Sequence, residues 1–248
     1  MDVKTESAPI LKFGSDTFDG AQVLNALITA QLWPRFCSDL IIDVKLATIE
    51  CSEAEQAEAM ATFCQAQTLT TPELQQQWCD RYHLTPQDLE AIAIRNWRLE
   101  KFKQQQFAPK VETHFLQRKS RLDRAIYSLI RVKDAGLAQE LYFRLEEDPT
   151  LFPDLARQYS QGPEAATGGV QGPIPLSTPH PNLAKLLAIS QAGQLWPPTR
   201  IESWHIIVRL EQLIPAQLDE RMQLQMREEL FNQWLQQQLA TLPVQRLL

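Results

Sequence analysis

No stretch of this 248-residue sequence approaches the roughly 18 consecutive apolar residues that a membrane-spanning helix needs, so membrane insertion is not expected. The opening "MDVKTESAPILKF" holds no apolar run of the kind that drives secretion, and the chain reads as cytoplasmic. Basic residues are not in excess: 24 Lys and Arg stand against 30 Asp and Glu, a formal net charge of −6, which argues against a dedicated nucleic-acid binder. Cysteine is scarce, and none of Cys37, Cys51, Cys64 and Cys79 forms a close C-x₂-C pair. Zinc sites use such pairs, so no metal is expected and the thiols read as small buried hydrophobes.

Glycine is scarcer than proline, at eight residues against sixteen, and Gly168, Gly169 and Gly172 cluster within "YSQGPEAATGGVQGPIP", between Tyr159 and Pro175. Such clustering signals positive φ or a close backbone approach. A phosphate loop would need G-x-x-x-x-G-K-[ST] or G-x-G-x-x-G, and neither occurs. No H-E-x-x-H, nucleophile elbow or paired-carboxylate motif appears elsewhere. No cofactor is expected.

What the chain does have is a change of period. Residues 1–110 read as helices with marked starts. Ser52 and Glu55 form a capping box, while Thr71-Pro72 and Thr85-Pro86 each give an N-cap followed by proline at the first helical position. Leu89, Ile92, Ala93 and Leu99 share one face, and Lys101 and Lys103 are expected near that helix's end, where the dipole favours cations. "AIYSLIRV" (125–132) and "SWHIIVRLE" (203–211) alternate as half-buried strands do. Helical stretches "LAQELYFRLEE", "LFPDLARQYS" and "PNLAKLLAISQ" lie between them. Beyond residue 215, Leu218, Met222, Met226, Leu230 and Trp234 recur every fourth residue, the apolar stripe of a helix that must dock on something. The expected fold class is α+β. A helical module (1–123) with a C-terminal helix (213–248) docked on it encloses an inserted antiparallel sheet domain (124–212).

The ordered series Phe152, Leu155, Ala156, Tyr159, Ser160, then Gly168-Gly169-Val170-Gln171-Gly172, Gly193 with Pro197 or Pro198, and Trp204-His205-Ile206-Ile207 resembles the parvulin (PpiC, or rotamase) family of peptidyl-prolyl cis–trans isomerases. The flanking helices resemble the SurA-type chaperone arrangement. The resemblance implies isomerisation at X–Pro bonds of polypeptide clients. It also implies site residues. His205 matches the histidine of the last strand. Arg131 matches a basic residue four places after the family's first-strand histidine, which aligns Tyr127 with that histidine and implies a Tyr127–His205 hydrogen bond. The family's Cys or Asp falls at Gly162, an apolar pocket position at Gln171, the pocket methionine at His180 and the phenylalanine at Leu183. The glycine-rich stretch then rims a proline pocket. The alternative expectation is a catalytically degenerate parvulin fold, a chaperone or adaptor that binds peptides for folding or export. Similarity to proteins associated with peptide-exporting ABC transporters implies such a transporter as a partner.

Overall fold

The computed structural model describes residues 8–242 and divides into two compact units. One holds the residues up to Val111 together with those from Leu224 onward, and the other runs from Glu112 to Gln223. The fold is α+β and mostly helical, with one antiparallel four-stranded sheet in the central unit.

The helical unit begins with a hairpin, β1 (Pro9–Phe13) and β2 (Asp16–Asp19). Five helices follow: α1 (Gly20–Thr29), α2 (Trp33–Leu46), α3 (Glu53–Ala66), α4 (Pro72–Tyr82) and α5 (Pro86–Phe107). Their starts are built as the sequence specifies. Ser52 Oγ accepts from the Glu55 amide while the Glu55 carboxylate accepts from the Ser52 amide, and Thr71 and Thr85 cap α4 and α5 with proline at the first turn. Cys64, Leu69, Cys79 and Leu89 form one small core, so these two thiols do behave as packing groups.

A second core joins Ile42 and Leu46 of α2 to Phe102 and Phe107 of α5 and to Phe231 of α10 (Glu220–Thr241). The α10 helix thus completes the helical unit with its apolar stripe, as a lone amphipathic helix requires. Lys101 and Lys103 do not lie in the last turn of α5. They answer to carboxylates instead: Lys101 Nζ donates to Glu55 at 2.6 Å, and the buried Lys103 donates to Glu228 at 2.9 Å. Ion pairing, rather than the helix dipole, places them.

The central unit starts with α6 (Val111–Leu122), then β3 (Arg124–Val132), α7 (Ala135–Glu147) and α8 (Phe152–Tyr159). The glycine-rich stretch passes through a short 3₁₀ turn into β4 (Val170–Pro175), followed by α9 (Pro181–Ile189), β5 (Leu195–Ile201) and β6 (Trp204–Ile214). Sheet order is β4-β3-β6-β5, with every neighbouring pair antiparallel.

The two faces of the sheet have different covers. Tyr127 and Leu129 of β3 with Ile206, Val208 and Leu210 of β6 pack on Leu183 and Leu187 of α9. Ile130 and Val132 of β3 with Ile207 of β6 pack on Ala138, Leu141 and Leu145 of α7 and Phe152 and Leu155 of α8. Both faces are buried, so strand alternation alone does not tell which face meets a ligand.

The clustered glycines serve the edge strand. Gly169 has φ +88°, and a Cβ there would sit 2.9 Å from the Leu129 carbonyl oxygen and 3.0 Å from the Phe152 ring. Gly172, at φ +106°, lets β4 press equally hard on the backbone at Ala125. Both positions need a residue without a side chain so that β4 can lie against β3.

Candidate functional site

On the α9 side of the sheet, a cavity of about 250 Å³ opens where β3, β6 and the start of α9 converge. Strand β3 sends Tyr127, Leu129 and Arg131 into it, one after another on the same face. From β6 come Trp204 and Ile206; from the start of α9 come His180 and Leu183; Ile201 and Glu202 close the rim at the β5–β6 turn. The lining mixes apolar side chains (Leu129, Leu183, Ile201 and Ile206) with the polar groups of Tyr127, Arg131, His180 and Glu202. Burial pushes the Tyr127 phenol above its ordinary value, with Arg131 pulling it down and Glu164 pushing it up, so the ring presents an O–H donor at neutral pH.

His180 is the N-cap of α9, and its Nδ1 accepts from the Asn182 amide at 3.2 Å. An accepting Nδ1 leaves the proton on Nε2, which stands 3.8 Å from the Glu202 carboxylate. The imidazole is thereby held as a donor at the rim. Across from it, Lys133 Nζ lies 5.4 Å above the centre of the Trp204 ring and fixes that wall.

Arg131 is braced from behind. Its Nε and Nη2 donate to the two oxygens of Glu164 at 2.8 and 2.7 Å, a bidentate pair whose carboxylate is fully buried. Ser160 Oγ donates to the same carboxylate and accepts from the Arg131 amide at 3.1 Å. Gly162 lies beneath this pair. A Cβ there would collide with Arg131 Nε and with both Glu164 oxygens. The ion pair fills the space where the parvulin resemblance calls for a reactive side chain.

The structure corrects the expected Tyr127–His205 contact. The two residues lie on adjacent antiparallel strands, but Tyr127 is opposite Leu210, while His205 is opposite Val132. Val132 belongs to the face covered by α7 and α8, so His205 points away from the cavity. The pairing runs without a break from Tyr127 to Val132, so the two side chains lie on opposite faces. Ser128 confirms the assignment of faces, since its Oγ donates to Glu211 at 2.6 Å on the side opposite Tyr127.

Of the other expected site residues, His180 and Leu183 line the cavity with Tyr127. Gln171 is the β4 partner of Tyr127, but its amide donates to the Val170 carbonyl at 2.9 Å and it does not line the cavity. Gly162 contributes space for the ion pair. Sequence reasoning missed Trp204, Ile206 and Glu164. The first two share the parity of Leu210, and a correct register would have revealed them. Burial of Glu164 has no sequence signal.

Residues 131–212 match the family model described as Rotamase: PPIC-type PPIASE domain. This match lies within the central unit. The segment that matches this domain holds Arg131, His180, Leu183, Trp204 and Ile206 of the cavity. Among solved structures, a peptidylprolyl isomerase (PrsA) from Bacillus cereus is 17% identical, with 97% of this chain and 95% of that one covered and a TM-score of 0.46. PrsA from Bacillus anthracis is 18% identical, covering 87% and 100%, with a TM-score of 0.44. A SurA-like chaperone of Campylobacter jejuni, from the study of PEB4 and Cj1289, is 16% identical, covering 96% and 100%, with a TM-score of 0.38. No curated protein matches the chain. Among the described residues no group of His, Cys, Asp or Glu is arranged to hold a metal, and no helix is long and apolar enough to cross a membrane.

Proposed function

We propose that the PPIC-type domain is a peptidyl-prolyl cis–trans isomerase and folding helper that takes X–Pro segments of polypeptide clients. The observation that carries this reading is the cavity: apolar walls from Leu129, Leu183, Trp204 and Ile206 with two donor groups, Tyr127 O–H and His180 Nε2–H, at its edge. Rotation about a peptide bond must break amide resonance, at a barrier of about 18–20 kcal/mol. A planar amide is more polar than a twisted one, so an apolar wall that strips water from it favours the twisted state. A donor aimed at the nitrogen, whose lone pair is freed by twisting, adds stabilisation that exists only at the top of the barrier. Together these need to supply about 4 kcal/mol for a thousandfold acceleration. No covalent step enters. In this mechanism Leu183 and Trp204 hold the proline ring, Tyr127 and His180 face the amide, and Arg131 with Glu164 keeps β3 in place.

A second reading, binding without turnover, draws on the absence of His205 from the cavity and on the ion pair above Gly162. NMR exchange spectroscopy on a panel of X–Pro peptides separates the two. Faster cis–trans exchange that falls at least tenfold in Leu183→Ala, with backbone spectra unchanged, is the expected result. Peptide-induced shifts around Trp204 with no change in exchange rate across the panel would leave only the binding role.

A further inference from the structure

Helix α5 turns a stripe of side chains toward α2 inside the helical unit. Ile94, Arg95 and Arg98 of α5, Asp43 and Leu46 of α2 and the following Ala47 line a cavity of about 410 Å³. The two arginines on its wall are in different states. Arg95 is satisfied: its Nε donates to Asp43 at 2.6 Å and its Nη2 to Asp39 at 2.9 Å. Arg98 makes no hydrogen bond or ion pair among the described residues, and its Nε is buried without a partner. Neighbouring cations each have a carboxylate, Lys101 that of Glu55, Lys103 those of Glu100 and Glu228, and Arg227 that of Glu100 through Nη2, although the Arg227 Nε is likewise buried without a partner.

An unmatched buried donor is an expensive state for a guanidinium. The C-terminal end of α2, at Leu46, carries partial negative charge that makes the cation tolerable, yet it supplies no acceptor. Arg95 takes both nearby carboxylates, Asp39 and Asp43, which leaves Arg98 as the lining cation with none of its own. The vacancy therefore calls for a single negative charge, with a short apolar stem to cover Leu46 and Ile94. Asp43 on the same wall disfavours a doubly charged guest.

We propose that this cavity receives the carboxylate of an acidic side chain from a partner polypeptide, gripped by the fork of Arg98, with the stem methylenes against Leu46 and Ile94. The site uses only the helical unit and needs no proline, so it stands independently of the isomerase reading.

The test uses the full chain, the peptide acetyl-Ala-Leu-Glu-Leu-Ala-amide and its Glu→Gln counterpart. The sheltered Arg98 Nε–H gives a distinct signal in ¹H–¹⁵N spectra. The Glu peptide is expected to shift that signal and to bind at least tenfold more tightly than the Gln peptide, and Arg98→Met to abolish the difference. Ala47→Leu, which narrows the cavity and keeps both arginines, is expected to weaken the Glu peptide at least fivefold even if Arg98→Met does not fold. Equal binding of the two peptides, an unmoved Arg98 signal, or tighter binding of inorganic phosphate than of the Glu peptide would overturn the assignment.

Discussion

Arg131→Met isolates the pair that backs the cavity. Methionine keeps most of the stem volume but removes the guanidinium, leaving the Glu164 carboxylate, fully buried, with Ser160 as its remaining side-chain partner. Removing one member of a buried ion pair costs about 3–5 kcal/mol, because the other charge is stranded. Arg131 keeps 32% of its side chain in water, and solvent enters where it was, so the low end applies, about 3 kcal/mol. At about 4 °C per kcal/mol for a unit of this size, the central unit should melt roughly 12 °C lower. Calorimetry of the full chain reads this as a shift of one transition, with the helical unit as internal reference. The double variant Arg131→Met/Glu164→Met removes the stranded charge and should regain more than half of the loss. A single variant that melts within about 3 °C of the parent, or a double variant no more stable than the single, refutes the argument that this pair is a matched buried charge.

Two further outcomes follow from the cores and the cavity. Phe231→Ala empties a buried ring position shared with Phe102 and Phe107, and should cost about 3–5 kcal/mol in the helical unit while amide exchange in the sheet stays as it was. Tyr127 should ionise above the usual tyrosine range, since burial raises its phenol. A raised folded value means the proton is held more tightly when folded, so stability is intact below about pH 10 and falls as pH climbs past it. Absorbance at alkaline pH should show a late-ionising group that Tyr127→Phe removes.

Much of the fold was legible because local chemistry determines it. Caps at Ser52, Thr71 and Thr85 marked helix starts that the structure builds as written. The alternation at 125–132 and 203–211 marked the two central strands, β3 and β6. Edge strands were not legible. β4 contains Gly172, Pro173 and Pro175, and β5 contains Pro197 and Pro198, residues that read as loop because they break pairing everywhere except at an edge. The site was legible in part. Tyr127, His180 and Leu183 came from the family resemblance and meet at one cavity. His205 was assigned to the wrong face, because alternation within a strand gives two faces, and only the register between strands says which residues share one.

The shared core of Phe102, Phe107 and Phe231 has a consequence for the order of events on the ribosome. Phe107 leaves the synthetic machinery well before its partner ring, because the entire sheet-bearing segment is translated between them. At roughly 5–20 residues per second, the gap is on the order of 6–25 seconds. For that interval the nascent helices carry uncovered aromatic surface, while the intervening unit, contiguous in the chain, is free to fold on its own.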